Sequence, residues 1–187
     1  MTSNRIPTLY TTRLCLRPFR RDDGPLVRLL AGEYDVAYNV LAVPHPYPEG
    51  AAEAWIETHP AEIEQHKGLI LALTRREDGV LLGSMGLHFD VEQGLTELGY
   101  WVGVPYWGQG YATEAGRAMR DLAFSFPWLE KLYGRVFTRN PASAAVLRKL
   151  GMVPEGVLRK HLVRFEERVD VEYFGLMRAE WEILTRG

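Results

Sequence analysis

A single cysteine, Cys15, stands among 187 residues, which leaves no disulfide framework and no thiolate metal cluster. None of the five histidines falls in H-x-x-H or H-E-x-x-H spacing, so no catalytic metal is expected. The formal net charge is -2, with no basic excess and no long run of like charge, so a nucleic-acid partner is not expected either. No apolar stretch approaches the roughly 20 residues that span a bilayer. The opening stretch MTSNRIPTLYTTRLCLRPFRR lacks the apolar core of a signal peptide. These absences lead to the expectation of a cytoplasmic protein with no membrane partner. No repeat, low-complexity segment or linker divides the chain. Its length suits one domain over residues 1–187, and its hydrophobic fraction of 47% suits a packed core.

Alternation marks the strands. In residues 12–19, Leu14 and Leu16 face one way and Arg13, Cys15 and Arg17 the other, as in a half-buried strand. Asp22 and Asp23 open a short helix that ends near Gly32. Residues 43–50 are proline-rich and read as a loop. Residues 50–66 carry helix formers with Ala54, Ile56 and Ile63 as apolar anchors, and His59-Pro60 is expected to break or kink that helix. Strands follow at 69–74, 80–89 and 95–104, joined by the turns REDG and EQG. From Tyr111 the period becomes helical, through Ala115, Ala118, Met119 and Leu122. A strand at 131–138 leads to a helix at 140–151, with Asn140 as N-cap, Pro141 at its first position and Gly151 at its stop. Strands at 157–165 and 169–177 close the chain. The order β-α-α-β-β-β-α-β-α-β-β predicts a mixed α/β (α+β) domain with a mostly antiparallel sheet and helices packed on it.

Between strand 95–104 and the next helix lies VPYWGQGYATEA, in which Gly108, Gly110 and Ala112 alternate. Bare glycines at a helix N-terminus let a phosphate reach unpaired N–H groups and the positive end of the helix dipole. A Walker loop needs Gly-Lys-Ser/Thr, where this chain has Gly110-Tyr111-Ala112-Thr113. A dinucleotide fingerprint needs glycine where Thr113 stands, and parallel βαβ units where this chain has hairpins. Spacing alone therefore leaves two readings, a phosphate site and a turn that packs a helix on a sheet.

GYWVGVPYWGQGYATEA followed by NPASAAVLRKLGM resembles the GNAT superfamily of N-acetyltransferases, and within it the branch containing the ribosomal-protein N-terminal acetyltransferases. The resemblance implies a central, mostly antiparallel sheet of about seven strands flanked by helices. The fourth strand (95–104) and the fifth (131–138) are splayed apart. It also implies acetyl-CoA as co-substrate. The pyrophosphate would sit on the N–H groups of Gln109, Gly110, Tyr111, Ala112 and Thr113, with Gly108 giving clearance. Trp107 takes a position that the family often fills with Gln or Arg. The splayed strand would pair with the pantetheine arm through Trp101, Val102, Gly103 and Val104. One N–H of that run would serve as oxyanion donor and Gly103 as the bulge residue. Asn140 would donate its amide to the pantetheine, and Ser143 would hydrogen-bond the leaving thiolate.

Amines are mostly protonated at neutral pH, so a base or a desolvating pocket is useful. Glu97 is the leading base or water-relay candidate; its other reading is an exposed strand-start carboxylate. Parity places Glu97 with Gly99 and Trp101 on one face, so Trp101 could line the acceptor site with it. Glu114 reads as structural, suited to the helix dipole and spaced to pair with Arg117. Arg148 and Lys149 read as a solvated helix face or as contacts to the 3′-phosphate of CoA. His161 reads as a core or pocket-edge residue, Asp170 as a partner of Arg164 or Arg168, and Cys15 as packing. The acceptor is expected to be a primary amine, a protein N-terminus or a small molecule, and chain acidity weakly favours a basic one. Monomer and homodimer are both open. The alternative function is a GNAT-like module that binds acyl-CoA without turnover.

Overall fold

The computed structural model describes residues 7–186. One eight-stranded sheet runs through it, in the order β1 (Leu9–Tyr10), β2 (Leu14–Arg17), β3 (Gly68–Arg75), β4 (Leu81–Asp90), β5 (Leu95–Val102), β6 (Lys131–Phe137), β8 (Glu167–Met177), β7 (Val153–Arg164). Every neighbouring pair is antiparallel except β5–β6. The short β1 raises the strand count by one over the expected seven.

Period-two alternation assigns the two faces. Leu71, Leu73, Leu98 and Leu132 pack with Tyr111, Ala115, Met119 and Ala123 of α4 (Tyr111–Phe124) and with Ala144 and Leu147 of α5 (Pro141–Lys149). Ala72, Leu81 and Trp101 point the other way. They pack with Val27 and Leu30 of α1 (Gly24–Ala31), Val36 of α2 (Tyr34–Asn39) and Ala52 and Ile56 of α3 (Ala51–Glu64). The parallel β5–β6 pair requires a crossover, and α4 supplies it.

Several sequence expectations change here. α3 runs through Pro60, which lies on its exposed side, and its buried residues are Ala52, Ile56 and His59, with Ala54 exposed. Asp23 does not cap α1 through its side chain; it is buried and forms a two-bond pair with Arg17 at 2.7 and 2.9 Å. α6 (Arg178–Thr185) follows β8 without a loop. Its local signal is Glu180, whose carboxylate accepts the Met177 N–H at 2.8 Å. Gly103 is not a bulge, because β4 and β5 stay in unbroken register from Gly83–Val102 to Asp90–Leu95. Its N–H continues that pairing to the Leu82 carbonyl at 2.9 Å. The absent side chain serves a close approach instead, since a Cβ there would lie 2.9 Å from Leu30.

His59 is 3% exposed, sits edge-on to Trp55 and Phe19, and has no partner for either ring nitrogen. Burial lowers its pKa from 6.5 to about 4. The unfolded chain then binds a proton that the fold refuses between those values. The stabilising contribution is complete above pH 6.5 and declines as pH falls toward 4. At pH 4.5 the loss attributable to His59 is on the order of 2 kcal/mol. Urea unfolding at pH 7 and pH 4.5 should show a smaller acid loss for His59→Leu than for wild type; equal losses would contradict the assignment.

Candidate active site

The glycine turn adopts the conformation its residues permit. Gly108 has φ 72° and Gly110 has φ 81°, a region that side chains rarely enter. A Cβ at Gly108 would touch nothing within 4 Å, and one at Gly110 would meet only the Arg13 guanidinium at 3.5 Å. Packing therefore does not account for these glycines. The positive φ and the open space above the turn do. Among the described residues, the N–H groups of residues 108–113 find no acceptor, and the first helical bond runs from Glu114 N–H to the Gly110 carbonyl at 3.0 Å. Six successive donors at the positive end of a 14-residue helix form an anion cradle.

A clamp from the turn between β1 and β2 fixes the start of α4. Arg13 Nε donates to Glu114 Oε2 at 2.7 Å, and Arg13 N–H and Thr11 Oγ1 donate to Oε1 at 2.8 and 2.6 Å. Arg13 Nη1 donates to the Gln109 carbonyl at 3.0 Å, and its guanidinium lies 4.6 Å from the centre of the Tyr111 ring. Partial burial opposes the charged form of Glu114. The hydrogen bonds from Thr11 and Arg13 outweigh that effect and hold its pKa below the usual range. Glu114 is structural as expected, but its partner is Arg13 rather than Arg117.

Beyond the turn lies a divergence in the sheet. β5 and β6 pair only at Leu95–Lys131, Thr96–Leu132 and Glu97–Tyr133, although β5 continues to Val102 and β6 to Phe137. The Gly103 N–H and the main-chain groups of every second residue before it point toward β4. The Leu98 N–H closes the last pair with β6 at Tyr133, so the Leu98 carbonyl and the main-chain groups of Tyr100 and Val102 face the split. The Trp107 indole N–H takes the Val102 carbonyl at 2.6 Å. Of the four residues expected to hold the pantetheine, Val102 faces the split, Trp101 directs its main-chain groups to β4, Gly103 gives its N–H to Leu82 and its carbonyl to the Tyr106 N–H, and Val104 lies beyond β5 with its carbonyl on the Trp107 N–H. The Trp101 side chain is buried under α1 and lines no open site.

Across the split, α5 begins as its sequence indicates. Asn140 Oδ1 accepts the Ser143 N–H at 3.1 Å, leaving the Asn140 amide NH2 for a ligand. Ser143 Oγ lies 2.7 Å from the Tyr100 hydroxyl, so a side chain of β5 meets the first turn of α5. Burial pushes the Tyr100 phenol up to about 12, against the opposing effect of its hydrogen bond to Ser143.

Glu97 sits where the strands part. Arg135 donates to both of its oxygens at 2.8 Å, and the Tyr133 hydroxyl reaches Oε2 at 3.4 Å. The bond to Glu97 raises the Arg135 pKa, so the guanidinium stays charged. A proton taken by Glu97, directly or through water, weakens its attraction to the Arg135 guanidinium.

The remaining candidates lie elsewhere. His161 is exposed, with its ring 6.4 Å from that of Tyr173, and is not a core residue. Asp170 accepts the Lys160 N–H at 2.6 Å instead of pairing with Arg164 or Arg168. Arg164 bonds the Ala37 carbonyl at 3.0 Å and ties the β7–β8 hairpin to α2. Arg148 stands 3.7 Å from Glu172 and over the Phe174 ring, and Lys149 is exposed. Cys15 is half-buried within β2. Sequence reasoning missed Arg13, Tyr100 and Arg135 as site residues. Only Arg135 had a signal there, a charge on the strand facing Glu97.

The family described as acetyltransferase (GNAT) domain matches residues 13–153. An uncharacterized N-acetyltransferase, p20 of Bacillus licheniformis, is 27% identical over 175 residues, 93% of this chain and 98% of that protein. Among solved structures, RimL, a ribosomal L7/L12 alpha-N-protein acetyltransferase in complex with coenzyme A, superposes with TM-score 0.81 at 15% identity, covering 92% of this chain and 97% of that one. A spermidine N-acetyltransferase from Vibrio cholerae, in complex with CoA and spermine, superposes with TM-score 0.78 at 18% identity, covering 92% and 99%. At these identities the two structures speak for the fold. The family match spans most of the chain, and the protein belongs to the GNAT family of acetyl-CoA-dependent N-acetyltransferases.

Proposed function

We propose that this protein transfers the acetyl group of acetyl-CoA to a primary amine carrying a single positive charge, such as a polypeptide N-terminus, by direct attack within a ternary complex. The observation that carries the reading is the run of unpartnered N–H groups at residues 108–113, beside a strand whose alternate main-chain groups face an open split. The first suits a pyrophosphate. The second suits the pantetheine arm, an extended chain whose amides pair as an added strand would. Asn140 contributes its free amide.

In this reading the amine nitrogen attacks the thioester carbon. The C–N bond forms, the C–S bond breaks, and the electron pair leaves on sulfur. The Val102 N–H, facing the split, is the oxyanion donor, a role typically worth roughly 3 kcal/mol of barrier. The ammonium first gives one proton to solvent, so that the neutral nitrogen attacks; Glu97 takes the second proton, shed as the amide forms, directly or through a water, and Ser143 offers its hydroxyl to the departing sulfur.

Charge pairing supports the acceptor class. A polyamine brings several ammonium groups and needs carboxylates free to meet them. The carboxylate at the split, Glu97, is already neutralised by Arg135. Arg139, Lys160 and Arg168 line the neighbouring cleft against Glu167 and Asp170, one positive charge in excess. RimL, by its name, acts on a protein N-terminus, and the local charge balance here fits that acceptor better than spermine.

Thiol release from acetyl-CoA should be measured with short peptides bearing free N-termini and, separately, with spermidine. The expected result is faster turnover of a peptide. With the same peptide, Glu97→Gln should lower kcat/KM about tenfold or more, and Gly110→Glu should weaken acetyl-CoA binding by calorimetry at least tenfold. Faster spermidine turnover would overturn the acceptor class. Full activity in Glu97→Gln would remove the relay, and unchanged affinity in Gly110→Glu would take the pyrophosphate off the turn. Tight acetyl-CoA binding with no turnover of any amine would favour a non-catalytic acyl-CoA-binding module.

A further inference from the structure

We propose that Tyr100 is a positioning residue, which occupies the acceptor side of the Ser143 hydroxyl and so aims its hydrogen at the sulfur of CoA. The inference rests on the reading that this sulfur lies beside Ser143.

Tyr100 is half-buried, and a phenol drawn away from water needs a partner. It finds that partner across the split, on the first turn of α5. Two acceptors are in reach, Ser143 Oγ at 2.7 Å and the Ser143 carbonyl at 3.2 Å. The carbonyl belongs to a helical residue and is already the acceptor for the N–H four positions on, at Leu147. The shorter contact to Oγ is the better place for the single phenol hydrogen. Once Oγ accepts from Tyr100, the serine hydrogen must point away from the phenol. The backbone of Ser143 is itself held by Asn140 Oδ1. A side chain that normally turns freely is thus fixed at both ends.

The opposite arrangement, serine donating to the phenol oxygen, spends the serine hydrogen on Tyr100. A thiolate forming in the split selects against it, because charge-assisted hydrogen bonds are roughly twice as strong as neutral ones. No proton passes between Tyr100 and Ser143. The phenol, with its pKa near 12, stays neutral. The electron pair of the broken C–S bond remains on sulfur, where the Ser143 hydrogen bond stabilises it. The burial that makes Tyr100 look like a wall residue is what keeps it a reliable donor.

The test uses free CoA as probe and requires no acceptor amine. The thiol of enzyme-bound CoA is titrated by its thiolate absorbance in wild type, Tyr100→Phe, Ser143→Ala and the double variant. Calorimetry establishes saturation of each. The expected result is that each single variant raises the bound thiol pKa by the same amount, about one pH unit. The double variant should raise it no further, and CoA affinity should change less than the titration does. A further rise from Tyr100→Phe in the Ser143→Ala background would overturn the coupling. So would a Tyr100→Phe protein that titrates as wild type while Ser143→Ala does not. A Tyr100→Phe protein that loses CoA affinity without moving the titration would show a purely structural role. A Ser143→Ala protein that titrates as wild type would remove the sulfur from Ser143, and the role of Tyr100 would fall with that reading.

Discussion

β5 and β6 share three residue pairs and then part. That divergence is the constraint on which the rest of the site depends. A sheet that stayed paired would consume the Leu98 carbonyl and the main-chain groups of Tyr100 and Val102, and no extended ligand could bind there. Because the pair is parallel, the chain must cross over between the two strands, and the crossover begins with the glycine turn and α4. One topological feature therefore produces the open strand edge and the helix N-terminus next to it. The first suits an amide-bearing arm and the second a pyrophosphate.

An open edge and a row of unpaired donors are useful only if they hold their positions. The clamp from the β1–β2 turn does this for the glycine turn. Arg13 grips Gln109 and Glu114 together, and its own N–H and Thr11 add bonds to the same carboxylate. At the far wall, Asn140 caps the start of α5 locally and Tyr100 ties it to β5. Glu97 and Arg135 brace the point where the strands separate. Apart from the Asn140 cap these contacts join elements distant in sequence, so the open edge and the turn hold their positions with no ligand present.

What could be read from the sequence was local. The glycine turn, the α5 start at Asn140-Pro141, its stop at Gly151 and the alternation of Leu14 and Leu16 all follow from backbone preferences within a few residues. What was missed depended on neighbours brought in by the fold. Glu114 has a plausible partner three positions away in Arg117, yet it takes Arg13, about a hundred residues distant. Nothing local sets Tyr100 apart until α5 is placed beside it. Pro60 looks like a helix breaker, but on the exposed side of α3 the helix passes through it. Gly103 was read as a bulge when its missing Cβ serves the close approach of Leu30. α6 lacks a loop or a Ser/Thr/Asp cap before it, so only Glu180 marked its start.

The account stands most directly on where CoA binds. Titrating CoA into nitrogen-15-labelled protein and following the amide signals would locate it. The largest changes are expected on residues 108–113, with a second set at Tyr100 and Val102 along the open edge of β5. Changes centred instead on the cleft of about 440 Å³ lined by Pro25, Leu29, His45 and Tyr47, with the turn unmoved, would contradict it.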